Sequence, residues 1–176
     1  TCALPILVGD LNLSRVVAYQ EANVFQWMIW KQPVAFVVFL VAAFAETNRL
    51  PFDLPESETE LVGGYHTEYS SMKFALFFLG EYAAMIGASA MMVTLFLGGW
   101  AFPWGGGPAT GILVGLAHIL CFVVKMGALL LLFIWTRWML PRFRYDQLMT
   151  LGWNRFIPIA LANILATALV LAFTTR

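Results

Sequence analysis

The fold class follows from residues 72–102, which read MKFALFFLGEYAAMIGASAMMVTLFLGGWAF. Lys73 and Glu81 are the only charged residues in this stretch. A helix rises about 1.5 Å per residue, so a segment of this length crosses a hydrocarbon core of about 30 Å with residues to spare. We therefore predict a transmembrane helix over 72–102.

Further apolar segments flank this one on both sides. Residues 112–139 and 156–174 are each long enough to span, whereas residues 33–46 need some of the preceding residues to do so. The chain is 61% hydrophobic and only 11% charged, which a water-soluble core does not explain. The predicted fold class is all-α, a polytopic integral membrane helix bundle of about four transmembrane helices.

The opening residues 1–9 are apolar but too short to span, and they carry neither a basic flank nor a cleavage pattern. We interpret them as the end of a preceding transmembrane helix and expect the chain to be a fragment, or one half of a split protein. No internal repeat is visible.

Four polar segments connect the predicted spans. Lys and Arg in short loops favour the cytoplasmic side, and the basic loop over 140–155 is the richest in them. Counting helices back places the acidic loop over 47–71 on that same side. The loop over 10–32, with Trp27 and Trp30 as interfacial anchors, and the turn over 103–111 then face outward.

Carboxylates are concentrated in one part of the chain. Seven of the ten lie between positions 46 and 81: Glu46, Asp53, Glu56, Glu58, Glu60, Glu68 and Glu81. One interpretation of the loop carboxylates is a solvated interaction surface, which runs of like charge usually form. Glu81 differs, because it lies about 13 Å inside its predicted helix, where ionisable residues usually mark ion or proton pathways.

Two further polar residues interrupt the segment over 112–139. Lys125, at its middle, is either a structural ion pair, with Glu81 as one partner, or a basic relay. His118 is interpreted as a packed or hydrogen-bonded histidine. Cys2 and Cys121 are assigned packing roles, and the sequence has no CxxC pair, GxGxxG motif or histidine cluster. We predict no cofactor or metal bound by this chain, and the zero net charge does not indicate a nucleic-acid partner.

A resemblance to a known family rests on three segments. These are AETNRLPFDLPESETELVGGYHTEYSSMKFALFFLGEY at 45–82, FLGGW at 96–100 and PRFRYDQLMTLGW at 141–153. Together they closely resemble the H subunit of respiratory complex I, called NADH dehydrogenase subunit 1 in mitochondria. Members of that family are about twice as long, so the resemblance covers the C-terminal half.

The resemblance implies a subunit of a proton-pumping NADH:quinone oxidoreductase, in a bacterial or mitochondrial inner membrane. Quinone would be the substrate at a shared cavity, while FMN and iron-sulfur clusters would belong to partner subunits. The implied partners are the lipid bilayer, the peripheral-arm iron-sulfur and quinone-site subunits, small membrane subunits and antiporter-like subunits.

The resemblance also implies roles for individual residues. Glu46, Glu56, Glu58 and Glu81 match acids on a polar path from the quinone cavity. Charged positions of the two family loops are matched by Arg49, Asp53, Arg137, Arg142, Arg144 and Asp146. The candidate set for proton path and cavity adds Glu60, Glu68 and Lys125.

Two alternatives remain open. The chain is also compatible with the equivalent subunit of a ferredoxin-linked quinone oxidoreductase or a membrane-bound hydrogenase. A stand-alone ion transporter, using Glu81 and Lys125 as its charges, belongs to a different class and would be expected to show two similar halves.

Overall fold

The computed structural model describes residues 3–21, 23–47, 51–52, 72–103, 111–141 and 143–174. Helices dominate this part of the chain, and no strand occurs in it. The helices are α1 (Ala3–Val8), α2 (Leu13–Gln20), α3 (Met28–Lys31), α4 (Pro33–Glu46), α5 (Met72–Phe96), α6 (Ile112–Met139), α7 (Tyr145–Leu151) and α8 (Ile157–Thr174). A 3₁₀ turn covers Val24–Gln26, and a π-helical segment covers Gly152–Phe156.

Three helical stretches are long and apolar enough to cross a membrane. They are α5, α6 and the continuous stretch Tyr145–Phe173, while α4 is apolar but shorter, with 14 residues. The predicted all-α membrane bundle is confirmed by this architecture, and the chain is a multi-pass membrane protein.

The helix predicted over 72–102 ends at Phe96, six residues earlier. Gly98 and Gly99 both adopt positive φ, at 71° and 55°, a conformation that glycine reaches without steric penalty. The Gly99 N–H donates to the Val93 carbonyl at 2.9 Å, which closes the last turn of α5. The chain then folds back instead of continuing as a helix.

The loop predicted over 140–155 is helical from Tyr145 onward. Leu148 and Leu151 pack against the central core, so burial of apolar side chains stabilises this helix. The π-helical segment precedes Pro158, which has no N–H for an intrahelical bond and whose ring crowds the preceding turn. A wider turn relieves that crowding and lets α7 run into α8.

The core lies between α4, α5 and α6. At its centre Met92, Val93 and Leu129 are buried and contact Phe39 and Leu40 of α4. The stretch containing α8 lies at the periphery of the bundle. Of its 18 most apolar consecutive residues 6% are buried, compared with 22% for the corresponding residues of α5. A pair of polar contacts attaches α8 to α4: Gln32 donates to Thr167 at 2.8 Å and accepts from Asn163 at 3.0 Å.

The bundle has two polar ends. The first, called the glycine-turn end, consists of residues 13–21, 23–32 and 97–103, held together by the buried Gln20. The Gln20 oxygen accepts from Met28 N–H at 3.2 Å and Gly98 N–H at 3.1 Å. The second, called the arginine end, consists of residues 44–47, 51–52, 133–141, 143–147 and the first half of α5.

Candidate functional site

An open cleft lies between α5 and α6 at the arginine end. Its volume is 370 Å³, within the range of ligand sites in proteins. The lining residues are Tyr82, Met85, Phe133, Ile134, Arg137 and Trp138. The lining is mainly apolar and aromatic, and its polar groups are the Tyr82 hydroxyl, the Arg137 guanidinium and the Trp138 indole N–H.

Helical spacing brings these side chains together. Tyr82 and Met85 are three residues apart on α5, and Phe133 and Arg137 are four residues apart on α6, so each pair shares a helix face. Met85 and Phe133 are buried in a core cluster, where the Phe133 ring lies 4.2 Å from that of Phe44. The floor of the cleft therefore rests on packed side chains, while Tyr82 and Arg137 lie in its exposed part.

This arrangement suits a flat ring that carries acceptor oxygens. The phenol of Tyr82, the guanidinium of Arg137 and the indole of Trp138 can all donate hydrogen bonds, and the other lining residues offer apolar contact. A charged donor forms stronger hydrogen bonds to oxygen than a neutral one does, so Arg137 is the dominant polar group.

Glu81 lies next to the cleft. It precedes Tyr82 and is one helical turn before Met85, so it shares the α5 face from which Met85 lines the cleft. Its side chain is half-buried, nine residues after the start of the helix at Met72. The cleft and the intramembrane acid therefore occupy the same part of the molecule.

The two loops predicted to share one side of the membrane meet at the arginine end. Phe143 N–H donates to the Pro51 carbonyl at 3.1 Å, and the Phe52 and Phe143 rings stack at 5.8 Å between centroids. These contacts join the chain that follows α4 to the chain that follows α6.

Only some of the predicted loop residues can be placed. Glu46 is exposed at the end of α4, and Arg144 lies 3.8 Å from Asp146 with both side chains exposed at the start of α7. Several predicted positions lie outside the described residues: Arg49, Asp53, Glu56, Glu58, Glu60, Glu68 and Arg142.

Lys125 lies away from this site, at the glycine-turn end. Its ammonium donates to the Leu97 carbonyl at 2.9 Å, and Leu97 is 16 residues from Glu81 along one helical segment. At about 1.5 Å per residue that separation is about 24 Å, so the interpretation of Lys125 as an ion-pair partner of Glu81 is wrong. The physical reason is that Lys125 points toward the end of α5, not its beginning.

His118 also packs at the glycine-turn end. It is buried, and its Nδ1 donates to the Trp100 carbonyl at 2.8 Å. The prediction of a packed, hydrogen-bonded histidine is confirmed. Within the described residues, no group of three His, Cys, Asp or Glu side chains could hold a metal ion.

Comparison with known proteins assigns the family. The sequence model described as NADH dehydrogenase matches residues 1–168 of the 176. The chain belongs to the NADH dehydrogenase family. The family resemblance noted in the sequence is thus confirmed over nearly the whole chain.

Individual relatives agree with this assignment. An NADH-quinone oxidoreductase H subunit of Koribacter versatilis is 48% identical over 95% of the chain and 48% of the relative. The H subunit from Bdellovibrio bacteriovorus is 52% identical over 94% and 50%, respectively. The NADH-quinone oxidoreductase subunit 8 of Rhodothermus marinus is 46% identical over 98% and 54%. The chain therefore spans about half the length of the curated relatives it matches.

Sequence reasoning missed most of the cleft lining. It selected Arg137, but did not select Met85, Phe133, Ile134 or Trp138. Ile134 lies three residues before Arg137 and four before Trp138, and this helical spacing is a signal that could have grouped the three. The pairing of this α6 face with Tyr82 requires the tertiary structure.

Proposed function

We propose that this chain is part of the membrane subunit of a proton-pumping NADH:quinone oxidoreductase, where it forms one wall of the quinone cavity. The observation that carries this proposal is the cleft of Tyr82 and Arg137 beside Glu81. Two kinds of support converge on it. The cleft offers apolar contact and hydrogen-bond donors that a quinone headgroup can use, and the matched relatives are named NADH-quinone oxidoreductase subunits.

The chain's own residues would bind and orient the substrate. Apolar contact with Met85 and Phe133 favours the quinone ring, and donors from Tyr82 and Arg137 bind its carbonyl oxygens. Reduction adds two electrons and two protons to the quinone, and FMN and iron-sulfur clusters in partner subunits of the peripheral arm would supply the electrons. A positive guanidinium stabilises negative charge that develops on the quinone oxygens.

Coupling to proton movement would begin at the acids beside the cleft. In this proposal Glu81 receives the electrostatic effect of quinone reduction and passes it to Glu46, Glu56 and Glu58. Closely spaced carboxylates titrate as a coupled set, so a change at one member shifts proton occupancy at the others. The path would continue toward the antiporter-like subunits, in a bacterial or mitochondrial inner membrane.

The remaining predicted positions would serve the two loops. Charged side chains on the same side of the membrane would dock the peripheral arm and hold the loop carboxylates in place. These positions are Arg49, Asp53, Glu60, Glu68, Arg142, Arg144 and Asp146. Lys125 is left out of this path because it lies at the opposite end of the bundle.

A photoreactive azidoquinone tests the cleft directly in the assembled complex. We expect the label to attach to the α5 and α6 peptides that contain Met85 and Phe133, and unlabelled quinone to compete with it. Arg137→Gln should raise the KM for a short-chain quinone about tenfold, because a charge-assisted hydrogen bond is lost.

Arg15→Gln is the matched control, since Arg15 lies on α2 at the glycine-turn end and pairs with Asp10. Its KM should equal that of the wild type. Labelling confined to other peptides, together with an unchanged KM in assembled Arg137→Gln, would exclude the cleft as a quinone site.

A further inference from the structure

The side-chain ammonium of Lys125 is bound by three backbone carbonyls. Its ammonium donates to the carbonyls of Leu97 at 2.9 Å, Gly99 at 3.1 Å and Ala101 at 2.7 Å. An ammonium has three N–H groups, so these three acceptors satisfy all of them. The Trp27 ring lies on another side, with its centroid 4.5 Å from Nζ, which is cation–π distance.

The backbone of the Leu97–Ala101 turn is built to present these carbonyls. Left-handed conformations at Gly98 and Gly99 turn the chain directly after α5, and the Ala101 N–H donates to the Gly98 carbonyl at 2.9 Å. The alternate carbonyls of residues 97, 99 and 101 then converge on one point. They adjoin the C-terminus of α5, where the helix dipole also favours a cation.

Neighbouring groups leave little freedom for this turn. A Cβ on Gly98 would lie 3.0 Å from Trp27 Nε1, and a Cβ on Gly99 would lie 2.9 Å from Val17 Cγ2. The turn therefore packs against Val17 and Trp27 on one side and binds the Lys125 ammonium on another. Three separate parts of the chain meet at this cation.

We propose that the Leu97–Ala101 turn is a carbonyl-lined cation site, and that the tethered ammonium of Lys125 fills it to lock α5, α6 and residues 13–31 together. Carbonyl oxygens arranged in this way replace the hydration shell of a small cation. A neutral side chain would leave three acceptors unsatisfied in a turn whose Gly99 and Ala101 are buried, which is unfavourable. Lys125 therefore serves as a fixed cation, and its charge need not change during turnover.

The first test is hydrogen exchange on the complete subunit in its assembled complex. Lys125→Met should speed exchange of the peptide containing Gly99 and Ala101 about tenfold, as expected for the loss of charged hydrogen bonds. Lys125→Arg keeps a permanent charge and several donors, so exchange should stay within about twofold of wild type. Lys31→Met is the matched control, because Lys31 is an exposed lysine at the same end that contacts Tyr19.

The second test is chemical rescue. In Lys125→Ala the missing group can be supplied from solution, so ethylammonium or propylammonium should restore slow exchange. Tetramethylammonium at the same ionic strength should not, since it carries charge without N–H donors. Rescue by tetramethylammonium as well as by the alkylammonium ions would mean that ionic strength alone acts. Rescue by none of them would mean that no cation site exists. Either result would overturn the proposal.

Assembly and proton translocation of further Lys125 variants provide the remaining tests. Unchanged exchange in Lys125→Met, or lost proton translocation in well-protected Lys125→Arg, would overturn the proposal and favour a relay. If Lys125→Met does not assemble, Lys125→Gln decides, because it keeps two N–H donors without charge. Wild-type exchange in Lys125→Gln would contradict the need for a cation. Failure of both neutral variants beside an assembled Lys125→Arg would support it.

Discussion

The two ends of the bundle handle polar groups in opposite ways. At the glycine-turn end polar side chains are tied to backbone: Gln20 holds Met28 and Gly98, and Lys125 holds the turn after α5. At the arginine end Arg137 and Tyr82 face an open cleft, with Glu81 beside it. Side chains that hold backbone groups in this way specify structure, whereas donors that line an open cleft can contact a ligand. On this basis we propose a structural role for the first end and a functional role for the second.

The largest effect should come from replacing the carboxyl group of Glu81 at the arginine end. We predict that Glu81→Gln assembles normally but lowers quinone reductase turnover and proton pumping together, by about tenfold or more, because an amide cannot take the place of a carboxyl group in proton transfer. The measurement is turnover with a short-chain quinone alongside a pH-sensitive dye in vesicles.

Glu21→Gln makes the same chemical change at the glycine-turn end, where Glu21 follows α2. It should leave both activities at wild-type values. If the assembled Glu81→Gln complex also worked at full rate, the functional assignment of the arginine end would fail.

A smaller effect, on stability, should come from the turn after α5. Gly99→Ala forces a side chain into left-handed backbone, which disfavours the folded turn by about 1–2 kcal/mol, and adds a Cβ 2.9 Å from Val17 Cγ2. We expect a lower thermal midpoint for the assembled complex.

Gly87→Ala is the control for that substitution, since Gly87 is inside α5 and its Cβ would meet nothing within 4 Å. Alanine is favoured over glycine in a helix by about 0.5–1 kcal/mol, so the midpoint should stay or rise. Equal midpoints for the two variants would show that the turn is not structurally demanding.

The smallest effect should appear at Asp10, near the start of the glycine-turn end. The Asn12 N–H donates to its carboxylate at 3.1 Å and Arg15 pairs with it, and these contacts lower the pKa of Asp10 below its ordinary value. A lowered folded-state pKa means that the contribution is present at neutral pH and is lost as pH falls through that pKa.

Asp10→Asn should therefore speed hydrogen exchange in the first turn of α2 only slightly at pH 7, about twofold, since exposed ion pairs contribute little. The ratio of variant to wild-type rates should approach one as pH falls through the lowered pKa of Asp10. A ratio that did not depend on pH would remove the charge-based explanation.

The sequence predicted some structural features of these ends and missed others. Apolar length alone predicted helices in the α5 and α6 segments, because a span of hydrocarbon leaves few alternatives to a helix. It did not predict the stop at Phe96, which depends on Gly98 and Gly99 being packed against residues distant in sequence. The glycine pair is visible in the sequence, but its left-handed conformation is determined by tertiary contacts.

The sequence also identified several polar residues without predicting their partners. Glu81 could be selected from its depth in an apolar segment, and Arg137 from the resemblance to the family. Lys125 was equally conspicuous, yet its partners are backbone carbonyls, which no residue pattern reveals. Gln20 was missed because a glutamine beside interfacial residues looks solvent-facing until the fold buries it.

The length of α4 has a consequence for the surrounding lipid. Its 14 residues rise about 21 Å, roughly 9 Å less than a hydrocarbon core of about 30 Å. Such hydrophobic mismatch is relieved when the bilayer thins around the short helix. We therefore expect acyl-chain length to affect the depth of Glu46, at the end of α4, in the membrane, and thicker membranes to submerge it further.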